Sequence, residues 1–126
     1  MDAPTVLLVD SHEDSLTIYR VILEHHGFRV LAAARWDEGL RLAREGRPDL
    51  IFLEYSRVGG GGPEAARRLK TARQTAAVPI VALSTAFEAD RDTALEAGFA
   101  GYLLKPCPPL ALLAEAVRHL GRPSRS

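Results

Sequence analysis

Two hydrophobic periods take turns along this chain. Five short apolar runs read as strands: TVLLV (5–9), FRVLAA (28–33), PDLIFLE (48–54), VPIVALS (78–84) and GYLLK (101–105). Between them the apolar positions recur every three or four residues, the spacing of an amphipathic helix. In 11–27, Leu16, Tyr19, Ile22 and Leu23 share one face, and Gly27 is the stop. In 36–46, Leu40 and Ala43 lie on one face and Gly46 ends the segment. The third helical segment, 63–73, opens on Pro63, which suits a first helical position. The last two cover 88–98 and 109–121.

The pattern is therefore strand–helix, five times over. Strands that are continuously apolar are buried on both faces, as in a parallel sheet covered by helices. Right-handed crossovers then give a doubly wound α/β domain. A closed barrel would need about eight such units. One domain is expected over 1–121, with 122–126 as a frayed polar tail or linker stub.

Composition narrows the function classes without changing this picture. The 126 residues carry 16 basic and 16 acidic side chains, so the formal net charge is zero. Nothing in that balance favours nucleic acid or an anionic membrane surface. Only Lys70 and Lys105 are lysines, which singles each out among the arginines. A lone cysteine, Cys107, excludes an internal disulfide and a cysteine-based zinc site, and fits a reducing, cytoplasmic setting. No stretch approaches the roughly 20 apolar residues of a membrane span. The first residues lack the basic and apolar regions of a signal peptide.

In an open parallel sheet, function collects beyond the carboxyl ends of the strands. There the sequence places Asp10, Ser11, His12, Glu13 and Asp14, then Glu54, then Ser84 and Thr85, then Lys105 and Pro106. Two acids, a hydroxyl and a lysine on one rim suit a phosphoryl or metal site. Glu54 is the odd member, since Glu forms strands poorly and is rarely buried without a partner. His12 can join transition-metal ligation, although a solvated loop histidine is the simpler reading. Glu13 and Asp14 suit the first turn of a helix, and His25 and His26 its end. The GGGG run (59–62) lacks the Lys-Ser/Thr of a phosphate-binding loop, and no G-x-S-x-G elbow of a serine hydrolase is present.

The stretches VLLVDSHED, PDLIFLE, PIVALS and ALEAGFAGYLLKP, together with the chain length, resemble the response-regulator receiver domains of two-component signalling. The resemblance implies a CheY-like, flavodoxin-like (βα)5 fold with a five-stranded parallel sheet in the order 2-1-3-4-5. It places the family's acidic pair on Asp10 and Ser11 and its phospho-acceptor position on Glu54. It places the switch residues on Ser84 and Tyr102, and the family's lysine and proline on Lys105 and Pro106, with a cis bond between them. The metal contacts would be Asp10 and the backbone carbonyl of Ser56. This chain departs from the pattern at Ser11, where the family has a second acid, and at Glu54, where it has Asp. The following loop, SRVGGGGPE, puts Val58 where the family has proline.

These departures bear on chemistry. The family reaction needs a carboxylate nucleophile and Mg2+, and a serine in place of a carboxylate weakens the magnesium site. Glu54 reaches about 1.5 Å further than Asp. It is expected to pair with Lys105, accept a hydrogen bond from Ser84 and mimic part of a phosphoryl group. The leading expectation is a non-enzymatic pseudo-receiver that needs no cofactor, with Mg2+ weak. It would dock a protein, a histidine kinase or a downstream component, through the fourth helix, fifth strand and fifth helix (88–120). It would be a monomer or weak homodimer. With no output domain in these residues, output is expected by contact if none follows Ser126. The alternatives are a Mg2+-dependent phospho-acceptor fed by a histidine kinase, and a small-molecule-binding flavodoxin-like domain.

Overall fold

The computed structural model describes residues 3–55, 62–84 and 90–123. Five strands alternate with five helices: β1 (Thr5–Val9), α1 (Glu13–His25), β2 (Arg29–Ala33), α2 (Trp36–Gly46), β3 (Leu50–Glu54), α3 (Gly62–Thr71), β4 (Ile80–Ser84), α4 (Asp90–Glu96), β5 (Gly101–Leu104) and α5 (Pro109–Leu120). All strand pairs are parallel, in the order β2-β1-β3-β4-β5. This is the (βα)5 architecture expected from the alternating periods. No helix among the described residues is long and apolar enough to cross a membrane.

Alternation along the strands divides the core into two layers. Leu7, Val9, Ile51, Leu53, Ile80 and Ala82 face Leu40 and Ala43 of α2, Ala65, Ala66 and Leu69 of α3, and Ala94 of α4. Val6, Leu8, Leu50, Phe52, Val81 and Leu83 face Tyr19 and Leu23 of α1 and Leu112 and Ala116 of α5. The central strands β1 and β4 are buried throughout, and β3 up to Leu53. The edge strands β2 and β5 are partly open, so continuous apolarity marks centre from edge.

Element starts move where proline removes a donor. The third strand begins at Leu50 rather than 48: Pro48 cannot donate, and Asp49 serves as a clamp. Its N–H donates to the Thr5 carbonyl at 2.7 Å, and its carboxylate accepts the Thr5 N–H at 2.8 Å. The fourth strand begins at Ile80 for the same reason, although the Pro79 carbonyl still accepts the Ile51 N–H at 3.0 Å. The fourth helix is described from Asp90, and positions 88 and 89 of its expected span lie outside the described residues.

Helix α2 ends on Gly46, as the pattern predicts, and Arg47 after it adopts the left-handed conformation (φ 47°, ψ 60°). A Cβ on Gly46 would collide with Leu31 Cδ1 of β2. The glycine lets helix and strand approach closely, since a side chain there would have to displace the tip of Leu31.

Candidate functional site

The carboxyl ends of β1, β3, β4 and β5 bring Asp10, Glu54, Ser84 and Lys105 to one rim. The β1 strand runs out at Asp10, whose N–H still donates to the Ala33 carbonyl (3.1 Å). Its carboxylate is fully buried, and each oxygen has its own task. Oδ1 accepts the His12 N–H at 2.9 Å, a local turn that leads into α1, and lies 3.3 Å from His12 Nδ1. Oδ2 accepts from Lys105 Nζ at 2.5 Å. The Lys105 side chain is only 8 % exposed, so the pair is a buried one.

Glu54 closes β3 and is 32 % exposed. Ser11 Oγ donates to its Oε1 at 2.8 Å, and the Ser11 N–H reaches Oε2 at 3.4 Å. His12 Nδ1 lies 3.8 Å from Oε1. The expected Glu54–Lys105 pair is therefore not the one that forms: Lys105 takes Asp10, and Ser11 takes Glu54. The physical reason is desolvation. A carboxylate with no contact to water needs a counter-charge more than one that keeps part of its hydration. The longer Glu side chain reaches across to the turn after β1, where a hydroxyl serves it. Ser11 so acquires a role that its departure from the acidic pattern did not suggest.

Two elements hold Lys105 in place. Its N–H donates to the Ser84 carbonyl at 2.6 Å, which extends the β4–β5 register past Leu104. The Lys105–Pro106 bond is cis, as the resemblance implied. Behind it, the Tyr19 hydroxyl of α1 donates to the Cys107 carbonyl at 3.0 Å, which ties α1 to the segment that carries the lysine. Burial pushes the Tyr19 phenol above its ordinary value. It also pushes the Cys107 thiol up, against the pull of the Lys105 charge.

Ser84 is buried at the end of β4, and Tyr102 is half-buried in β5. The Tyr102 ring packs edge-on towards Tyr55, 6.5 Å between centroids. Tyr55 in turn meets Phe99 edge-on at 5.5 Å. This aromatic floor beneath the rim was not expected; its signal was a tyrosine directly after Glu54. Ser56, Val58 and Thr85 lie outside the described residues, as do the first three glycines of the GGGG run.

Asp10, Glu54 and Lys105 together carry one net negative charge. The described donors do not fit magnesium well. Mg2+ takes near-octahedral oxygen ligation and dehydrates reluctantly. Here one Asp10 oxygen is committed to Lys105, a hydroxyl replaces a carboxylate at Ser11, and the third convergent donor is an imidazole nitrogen.

Three comparisons bear on this arrangement. The sequence profile of the Response regulator receiver domain family matches residues 6–117. Protein PilH of Pseudomonas aeruginosa is 31 % identical over 109 residues, covering 86 % of this chain and 90 % of that protein. AfsQ1 of Streptomyces coelicolor, a transcriptional regulatory protein, is 39 % identical over 105 residues, covering 82 % of this chain and 45 % of that protein. The chain thus spans less than half of AfsQ1 but most of PilH. Among solved structures, the chemotaxis response regulator CheY4 of Vibrio cholerae superposes with a TM-score of 0.85 at 27 % identity, covering 94 % of this chain and 99 % of that one.

Proposed function

Since the chain belongs to the response regulator receiver domain family of two-component signal transduction, we propose that it is a pseudo-receiver: a non-enzymatic docking module that engages its protein partner without being phosphorylated. The observation that carries this reading is the state of the residue at the phospho-acceptor position. Glu54 is already engaged by Ser11 Oγ at 2.8 Å, while Lys105 is held 2.5 Å from the buried Asp10. In-line transfer needs the nucleophile placed within about 1 Å, and Glu54 carries an extra methylene bound sideways to a neighbouring turn. Lys105 is thereby committed to Asp10, and Glu54 to the turn after β1.

The docking face is α4, β5 and α5. The edge strand β5 ends in Leu104, 47 % exposed, and α4 presents Leu95, 42 % exposed. Large apolar side chains in the open mark interaction surfaces when they cluster. Ile18 and Val21 of α1 form a second exposed apolar pair, and the test separates the two. A photo-cross-linker placed at Leu104 captures a partner in equal yield with and without phosphoryl donor and Mg2+, and the same probe at Val21 does not. Capture that depends on donor and Mg2+ would sink the phosphate-independent reading; capture from Val21 alone would move the face to α1.

A further inference from the structure

We infer that Asp10, His12 and Glu54 form a three-ligand site for a divalent transition metal of the zinc class, with water completing the coordination. The inference does not rest on the docking proposal and stands or falls separately. One atom from each side chain, two carboxylate oxygens and an imidazole nitrogen, lies within 4.8 Å of the other two. His12 Nδ1 is 3.3 Å from Asp10 Oδ1 and 3.8 Å from Glu54 Oε1. Ligand bonds of about 2.0–2.2 Å around a tetrahedral ion space its donors roughly 3.3–3.6 Å apart. The two His12 spacings fall at or near that range, and the half-exposed Glu54 and exposed His12 side chains can close on an ion held by Asp10.

The donor set selects the ion. Imidazole nitrogen suits zinc, copper, nickel and iron, whereas magnesium asks for oxygen alone. The supporting contacts are those that ligating side chains need. Lys105 holds the far oxygen of Asp10, which leaves Oδ1 as a single, fixed donor. Ser11 Oγ orients Glu54 Oε1, whose second lone pair remains for a metal. His12 is 63 % exposed and Glu54 32 %, so solvent reaches the fourth position and the two mobile ligands can adjust. Occupancy joins the β1–α1 turn to the end of β3 through an ion rather than through Ser11 alone.

Zn2+ alone, titrated into the whole chain in a non-chelating buffer, tests this by calorimetry and by histidine side-chain NMR. The expected result is one ion per chain, with the His12 ring shifted strongly and the rings of His25, His26 and His119 little moved. His12→Ala and Glu54→Gln each weaken binding by about tenfold or more, His26→Ala leaves it unchanged, and excess Mg2+ does not displace the zinc. His12 is an exposed loop residue, and an unaltered amide spectrum of His12→Ala shows that the fold persists. Three results overturn the inference: no saturable binding, binding indifferent to His12→Ala, or binding that moves with His25, His26 or His119.

Discussion

Asp10 has no exposed side-chain surface and depends on Lys105 for its counter-charge. Removing one partner of a buried pair leaves a charge with neither water nor counter-ion, at a cost of about 3–5 kcal/mol. Lys105→Met is therefore expected to lower unfolding stability by that amount in a urea titration. Adding Asp10→Asn should recover most of it. If the single and double variants are equally unstable, the pair is not what the lysine contributes. Ser11→Ala should cost far less, at most about 1 kcal/mol, because Glu54 regains water when its hydroxyl partner is lost. Cys107 gives a second test at this scale. Its thiol is buried and pushed above its ordinary value, with the Lys105 charge opposing and Glu115 adding to the rise. The reactive thiolate is thus scarce and shielded. Alkylation at about pH 8 should be at least an order of magnitude slower in the native chain than in urea; equal rates would show the site to be open.

Among the elements, α2 shows close packing deciding against propensity. Gly39 lies at the end of the first turn of α2, where alanine would gain up to about 1 kcal/mol of helix propensity. A Cβ there would stand 2.6 Å from Val9 Cγ2. Valine is stiff at χ1, and Val9 is locked in the core between α2 and the sheet. Gly39→Ala is accordingly expected to destabilise the chain by roughly 1–3 kcal/mol, the range of overpacking; a stabilised variant would mean that α2 slides without cost. In α5 the test is electrostatic. Burial pushes the Glu115 carboxyl up, but hydrogen bonds and charge from Arg118 and then His119 outweigh it and hold the group below its ordinary value. A depressed folded value favours the native state once the unfolded carboxyl has ionised, above about pH 4.3. That contribution disappears as pH falls through the lower folded value. The stability gap between the native chain and Glu115→Gln should be open at about pH 6 and shrink as pH falls below about 4.3 towards the lower folded value; a gap independent of pH would assign Glu115 to packing alone.

For the whole molecule the question is whether the rim still switches. Amide spectra taken with Mg2+ and then beryllofluoride, a phosphoryl mimic, are expected to stay unchanged around Asp10, Glu54 and Lys105 in the native chain. The Ser11→Asp/Glu54→Asp double variant should respond at those positions. A native response would mean that the phospho-acceptor chemistry survives. The sequence by itself determined the architecture, because parallel strands buried on both faces must be apolar throughout and helices packed on them must be apolar on one face. TVLLV and WDEGLRLAREG marked β1 and α2 to the residue, and the topology was enough to send Asp10, Glu54, Ser84 and Lys105 to one rim. Only the tertiary structure decided who pairs with whom there. Charge alone allowed Lys105 to choose either carboxylate. Burial, which depends on every element around the rim, gave it Asp10 and left Glu54 to Ser11 and His12. The same holds for Gly46: the one-dimensional pattern ends the helix there, and only the approach of Leu31 from another element shows that the glycine is also a contact.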